Sequence, residues 1–179
     1  MKSSTKWMLG AMQFIAWITF IGLCIKTGAL MVSFFVSMSV NPVAARDLFE
    51  KLDLSDLQRF SIGHYAGMVS VIIILSAAKA YIFYQIIRIF RKINFVHPFS
   101  KEVSSLISGI GYVALGVGLL TVITNSYRNW LIKQGVTFPD LQAYLGGGAE
   151  FLLLGGIIFM IAEVFKRGIE IQTENELTV

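Results

Sequence analysis

The sequence predicts an all-α integral membrane protein whose four transmembrane helices form an up-down antiparallel bundle. The first observation is composition: 55% of the 179 residues are apolar and 15% are charged, with a mean hydropathy of +0.69. A water-soluble domain needs more surface charge, whereas a bilayer is itself an apolar solvent. The second observation is the presence of four apolar runs, each near the roughly 20 residues that cross a bilayer. No linker composition divides the chain, so we expect one domain over residues 1–179.

The first apolar run covers Trp7–Ser37 and follows Lys2 and Lys6, as the core of a cleaved signal peptide would. However, the apolar run resumes after Lys26, and no convincing Ala-x-Ala cleavage site follows it. The pattern therefore predicts a span that is retained in the membrane.

A short amphipathic helix is expected after the first span, on the outer side of the membrane. Asn41 can cap a helix that has Pro42 at its first position, where proline's missing N–H costs nothing. Leu48, Phe49 and Leu52 would then share one face, which favours a helix lying on the membrane surface.

The other three spans each follow a helix-start signal. The spans are predicted at Tyr65–Ile87, Leu106–Ile123 and Leu141–Phe165. The signals are Ser55 with Gln58, Pro98 with Ser100, and Thr137 with Pro139. Short connections between four such helices are typical of an up-down bundle.

Basic residues predict the orientation. Eight of them fall on one side and five on the other, and the short connection RIFRKINFVHPFSK carries four without an acid before Glu102. The positive-inside rule then places both termini and this connection in the cytoplasm. We expect a multi-pass protein of the inner cell membrane, with a short cytoplasmic tail at about residues 166–179.

Lys26 lies inside the first span and needs a partner, because an unpaired charge at that depth costs about 3 kcal/mol on insertion scales. It shares a stripe with small residues, which predicts that it faces the other helices; they are Thr19, Gly22, Ala29, Ser33 and Ser37. Glu150 has a similar predicted depth and is the candidate partner. The alternative is that glycines 146–148 interrupt the fourth helix and leave Glu150 at the wet interface. An ion pair that only fixes helix register is the commoner use of such a pair.

Lys79 is a second intramembrane cation, and two arrangements are open for it. Its four-carbon stem can extend toward the inner headgroups, which is the interpretation we favour, or it can pair with Glu163 in the inner half. Like Lys26 and Glu150, both residues are candidates for a polar site inside the bundle.

The sequence offers little that is typical of catalysis. Cys24 is the only cysteine, and His64 and His97 fall on opposite sides of the membrane, so neither pattern indicates a metal site. No phosphate-cradling loop is present, and the glycines of the third and fourth spans serve close helix packing instead. We therefore expect no enzymatic activity, no cofactor, no metal and no direct nucleic-acid binding.

Two stretches on the predicted cytoplasmic side carry a family resemblance. HPFSKE at 97–102 is similar to a Pro-Phe-Ser box that opens the third helix in one family of membrane proteins. The last stretch, AEVFKRGIEIQTENELTV, is similar to the C-terminal segment of the same family. The chain thereby resembles the DUF2975 proteins, with His97 and Glu176 as mild departures. The resemblance implies four spans, no established activity, and frequent encoding beside a small helix-turn-helix regulator.

Three functions remain open at this point. The leading hypothesis is a sensor or anchor that contacts a cytoplasmic partner, such as that regulator, through Pro98, Phe99, Ser100, Lys166, Arg167, Glu170, Glu174, Asn175 and Glu176. The alternative is a small transporter or channel subunit, with Lys26, Lys79 and Glu150 lining a polar path. A third is a structural or lipid-binding membrane protein. The lipid bilayer is the expected environment, and a homo-oligomer could supply the pathway that four spans lack in the transporter alternative.

Overall fold

The computed structural model describes residues 3–93 and 99–177, with side chains described over 7–93 and 99–174. The structure is all-helical, and the described residues contain no strand. The elements in chain order are α1 (Ser3–Ser39), a 3-10 helix (Pro42–Arg46), α2 (Ser55–Phe60), α3 (Ile62–Lys92), α4 (Lys101–Lys133), α5 (Gln142–Leu145) and α6 (Gly148–Leu177). The all-helical fold class predicted from the sequence is confirmed.

Four segments are long and apolar enough to cross a membrane, which confirms the four predicted spans. They are Trp7–Ser39, Ile62–Lys92, Lys101–Lys133 and Gln142–Glu174. The protein is accordingly a multi-pass membrane protein. We call the end of the bundle at Lys92, Lys101 and Lys166 the basic end, and the end formed by residues 40–61 and 134–147 the loop end.

Side-chain caps begin three of the helices. The Asn41 carboxamide accepts from the Val43 N–H at 3.0 Å, and the Ser100 hydroxyl accepts from the Val103 N–H at 3.2 Å, as predicted. The start predicted at Ser55 proves to be that of the separate short helix α2. The chain then bends at Ser61, whose hydroxyl caps α3 through the His64 N–H. The second span therefore begins at Ile62.

The long helices pack in the order α1, α3, α4, α6, so that each contacts its neighbour in the row. Among the described residues, α1 and α6 make no extended contact with each other. The inner helices α3 and α4 are consequently much more buried than α1 and α6, which leave most of their apolar surface for lipid. The row explains why the bundle core lies at α3 and α4.

Glycines allow close approach at the α4–α6 contact. A Cβ on Gly118 would lie 2.9 Å from the Gly148 carbonyl oxygen, and one on Gly155 would lie 2.9 Å from the Leu115 backbone nitrogen. These backbones approach too closely for any larger residue without a shift. Gly116 and Gly156, predicted to act in the same way, instead have open space at the Cβ position.

The segment after the 3-10 helix is folded into the protein. Leu48, Leu52, Leu54 and Leu57 are almost completely buried and join the core beneath the loop end. The short helix predicted after the first span is present and begins at Pro42, but it ends at Arg46, so Leu48, Phe49 and Leu52 do not form its apolar face. Burial against the bundle removes these leucines from water at least as well as the lipid surface would.

The fourth span is interrupted, as the alternative interpretation of glycines 146–148 anticipated. The four-residue helix α5 ends at Leu145, Gly147 has φ +83°, and α6 starts at Gly148. Gly148 lies level with Gly118 of α4, and α4 continues for about 22 Å beyond that level toward the loop end. Non-helical backbone therefore reaches the interior of the bundle, where lipid offers it no hydrogen bonds.

Candidate functional site

Lys26 has a carboxylate partner, and the partner is Glu50. The Lys26 Nζ lies 2.9 Å from the Glu50 Oε2, and the Lys26 side chain is 18% exposed. The same ammonium sits 4.1 Å from the centre of the Tyr144 ring, a cation–π geometry. The stripe of small residues was predicted to face the other helices, and it does so only in part. Ser37, nearest the loop end, is buried, whereas Gly22 is exposed.

Glu150, the candidate partner named from the sequence, does not pair with Lys26. Glu150 is exposed in the first turn of α6, and α6 makes no extended contact with α1. Depth along the membrane was an insufficient criterion, because two residues at the same depth are not neighbours when their helices do not pack against each other.

A strained turn presents Glu50 to the lysine. Glu50 and Lys51 have φ values of 51° and 62°, in the left-handed region that costs non-glycine residues about 1–2 kcal/mol each. Hydrogen bonds on either side hold this turn: Leu48 N–H donates to the Leu52 carbonyl at 3.1 Å, and Leu52 N–H donates to the Phe49 carbonyl at 3.1 Å. Burial of the two leucines stabilises the strained conformation.

Tyr144 links this turn to the interrupted helix. It lies in α5 and is 5% exposed. Its hydroxyl donates to the Phe49 carbonyl at 2.7 Å and also lies 3.4 Å from the Glu50 Oε2. The turn and the ring together therefore define one rigid wall of the site.

Lys79 also points to this region, from α3. Its Nζ lies 3.5 Å from the Tyr144 carbonyl oxygen and 5.4 Å from the centre of the Phe151 ring. Both predicted arrangements for Lys79 were wrong: the side chain does not extend toward the basic end, and Glu163 instead pairs with Lys166 at 2.5 Å. The carbonyl freed by the helix break is the polar group that the side chain reaches. We call Lys26, Glu50, Lys79, Tyr144 and Phe151 the lysine cluster.

Asn125 of α4 completes the hydrogen bonding at the interruption. Its amide nitrogen donates to the Leu145 carbonyl at 2.9 Å. Side chains of α3 and α4 thus reach the last two carbonyls of α5, which an unbroken helix would have satisfied internally. This arrangement makes non-helical backbone tolerable inside the bundle.

A second candidate region lies at the basic end. The Phe99 ring packs edge-on against Phe165, with the ring centres 5.3 Å apart, and lies so close to Gly168 that an added Cβ would sit 2.5 Å from its Cδ1. The segment that opens α4 and the end of α6 therefore form one surface. Arg167 and Glu170 pair along α6 at 2.8 Å, and both are exposed.

The described part of the chain includes most, but not all, of the residues predicted for a partner contact. Ser100 caps α4, and Lys166 pairs with Glu163. Pro98 and His97 lie outside the described residues, whereas Asn175 and Glu176 are helical with undescribed side chains. The name tail surface is used below for Phe99, Ser100, Lys166, Arg167, Gly168, Glu170 and Glu174.

The histidine at the loop end belongs to an aromatic group. The His64 Nδ1 lies 2.5 Å from the Tyr127 hydroxyl, and the imidazole stacks on Phe60 with the ring centres 5.8 Å apart. Trp130 packs edge-on against the same imidazole. Over the described residues, no three His, Cys, Asp or Glu side chains are grouped as a metal ion would require.

Sequence reasoning missed Glu50 and Tyr144. Glu50 falls in the predicted surface helix and Tyr144 at the start of the predicted fourth span, and these predicted positions place neither residue beside Lys26. The signal that could have located Tyr144 was the triple glycine after it, because an interruption there carries the preceding residues into the bundle as a separate segment.

Comparison with known proteins gives one result. No curated protein and no solved structure matches the chain. The family model described as "Protein of unknown function (DUF2975)" matches residues 15–179. The match spans nearly all of the chain and agrees with the resemblance in the connection and tail motifs, and the chain therefore belongs to the DUF2975 family.

Proposed function

We propose that this membrane protein acts as a sensor or anchor that holds a cytoplasmic protein partner at the tail surface. The observation that carries the proposal is the contact of Phe99 with Phe165 and Gly168. It joins the two segments that are most distinctive in the sequence into one surface. The family resemblance supports a small helix-turn-helix regulator as that partner.

The shape of α6 supports this role. The helix runs unbroken for 30 residues, about 45 Å, which exceeds the roughly 30 Å of hydrocarbon. From Gly168, beside Phe99, it extends about 14 Å farther to Leu177. The exposed charges of Arg167 and Glu170 give this projecting part a polar surface for protein contact.

The unbroken helix α6 also supports a coupling between the lysine cluster and the tail surface. Phe151 of the lysine cluster lies in the first turns of α6, and the tail surface lies near its other end. Close contacts with α4 at Gly118 and Gly155 stiffen the helix between them. A rearrangement of the cluster would therefore change how the tail surface is presented.

The direct test uses a charge exchange that preserves the fold. Exchanging the pair, as Arg167→Glu with Glu170→Arg, keeps the i,i+3 ion pair within α6 but inverts the charges that a partner meets. We expect co-purification with a helix-turn-helix regulator of the kind that the family resemblance implies to fall at least tenfold. Arg59→Glu is the matched control, because Arg59 is likewise exposed in an i,i+3 pair but lies at the loop end. Equal recovery of the regulator by all three proteins would refute the proposal.

The proposal requires the basic end to face the cytoplasm. The bias of lysine and arginine residues toward that end supports this orientation in the inner membrane. A fluorescent protein that is active only in the cytoplasm should be active when it is fused after residue 179. A phosphatase that is active only in the periplasm should be inactive at the same position. Phosphatase activity alone would overturn both the orientation and the proposed partner side.

A transporter or channel subunit is the second candidate, favoured by the interruption of the fourth span at mid-bundle. Interrupted helices line substrate sites in many transporters, where they usually occur in pairs. Of the three charges expected to line a path, Lys26 and Lys79 both contact Tyr144, whereas Glu150 is exposed on α6. A flux into reconstituted vesicles that disappears with Lys26→Met would favour this function over the sensor.

A further inference from the structure

The lysine cluster carries more positive than negative charge. Lys26 and Lys79 both approach Tyr144, whereas Glu50 is the one carboxylate of the cluster and already accepts from Lys26. None of the ion pairs between described residues includes Lys79, which reaches a carbonyl oxygen and the face of a ring. Since Lys79 lies about 20 Å along α3 from Lys92, its ammonium is far from the basic end and its headgroups. A charge at this depth is expensive without an anion.

The lysine cluster joins residues of three long helices and is not fully buried. Lys26 belongs to α1, Lys79 to α3 and Phe151 to α6, although α1 and α6 make no extended contact with each other. Tyr144 contacts both lysines. Lys79 and Phe151 are partly exposed, and 54% of the Glu50 side chain is exposed.

We propose that the lysine cluster binds an oxyanion, a carboxylate or a phosphate ester, at Lys79 and Lys26. The two ammonium groups supply charge-assisted hydrogen bonds. The rings of Tyr144 and Phe151 supply an apolar wall for the attached chain. Glu50 holds Lys26 when the site is empty and competes with the incoming anion for it.

A lipid-borne anion fits this cluster better than a water-soluble one. Its partly exposed residues lie on helices whose outer surface is apolar, so a ligand with an acyl chain can reach them without leaving the bilayer. The site is separate from the tail surface, and its binding can be measured without any cytoplasmic partner. Failure of one proposal therefore leaves the other intact.

The experiment measures binding to the full-length protein in phosphatidylcholine nanodiscs with three probes. Phosphatidylglycerol and decanoate represent acidic amphiphiles, and inorganic phosphate represents a soluble oxyanion. Native mass spectrometry counts retained lipid or decanoate, and the rise in thermal midpoint with probe concentration gives an apparent affinity for each probe. A response to an amphiphile alone identifies a lipid-borne anion, and a response to phosphate identifies a soluble one; either supports an oxyanion site.

Three variants distinguish a binding site from a structural cluster. Lys79→Met should weaken binding about tenfold or more, because a charge-assisted hydrogen bond is lost. Glu50→Gln should strengthen binding, because the competing carboxylate is gone, and a purely structural cluster would not give that sign. Lys166→Met is the control, since Lys166 is exposed near the other end of α6, and it should bind as the unchanged protein does.

Three results would overturn the proposal. The first is that none of the three probes binds. The second is that Lys79→Met and Lys166→Met bind every probe equally. The third is that Glu50→Gln lowers the affinity. If Lys79→Met fails to fold, the sign of the Glu50→Gln effect and retention of binding by Lys79→Arg decide the question.

Discussion

The pairing of Lys26 with Glu50 can be measured by a double-mutant cycle. Lys26→Met and Glu50→Gln remove the two charges singly and together, which isolates the interaction between them. A parallel cycle replaces Glu50→Gln by Glu150→Gln. The second cycle tests the partner suggested by depth in the sequence, and it serves as the matched control.

The expected coupling follows from the burial of the pair. Exposed ion pairs contribute about 0.2–1 kcal/mol, and breaking a buried pair costs about 3–5 kcal/mol. The Lys26 side chain is 18% exposed and that of Glu50 is 54% exposed, with 2.9 Å between Nζ and Oε2. This intermediate environment gives an expected coupling of about 1–2 kcal/mol, or roughly 2–8 °C in thermal midpoint for a chain of this size.

Thermal unfolding in one detergent, followed by tryptophan fluorescence, provides the measurement for all members of both cycles. The cycle with Glu150 should be additive within about 0.5 kcal/mol, because Glu150 lies on a helix that α1 does not pack against. Coupling in the Glu150 cycle together with additivity in the Glu50 cycle would refute the packing order described above.

Three further substitutions test other contacts through the same unfolding assay. Gly168→Ala should destabilise the protein by about 1–2 kcal/mol, because the added Cβ would displace Phe99. Gly156→Ala is the control, since it has open space at the Cβ position and should be neutral or stabilising. Equal effects of the two substitutions would contradict the contact between Gly168 and Phe99. Tyr144→Phe should cost about 1 kcal/mol through the lost hydroxyl bond to Phe49, and an unchanged midpoint would contradict that bond. Lys51→Asn should stabilise by about 0.5–1 kcal/mol, because asparagine adopts positive φ more readily, and a loss of stability would argue against the left-handed turn.

The sequence predicted the features that depend on local chemistry. Apolar run length located the four spans, because a bilayer demands a fixed length of hydrocarbon-compatible helix. Asn41 and Ser100 were recognised as caps, because capping involves only residues three positions away or fewer. Gly118 and Gly155 were recognised as packing positions for the same kind of local reason.

The lysine cluster could not be predicted, because it depends on which helices are neighbours. Helical spacing gives the face and depth of Lys26 but leaves the order of the helices undetermined, so Glu150 was indistinguishable from a true partner. The position of Glu50 depends on two consecutive left-handed residues, a conformation that neither a glutamate nor a lysine signals in sequence. Buried Leu48 and Leu52 hold that turn, and their burial is a tertiary property.

The interruption of the fourth span gives a physical reason for lysines in the middle of apolar helices. A helix that breaks inside the bundle frees carbonyl groups, and hydrocarbon cannot solvate them. An ammonium on a long flexible stem can reach such a carbonyl from the neighbouring helix, as Lys79 does at Tyr144. The carbonyl oxygen carries only a partial negative charge and cannot neutralise the ammonium of Lys79. Lys26 adds a second positive charge to the cluster, and the one carboxylate, that of Glu50, is already paired with Lys26. The positive charge of the cluster is therefore only partly compensated. The geometry that stabilises the break therefore also creates a place for an anion.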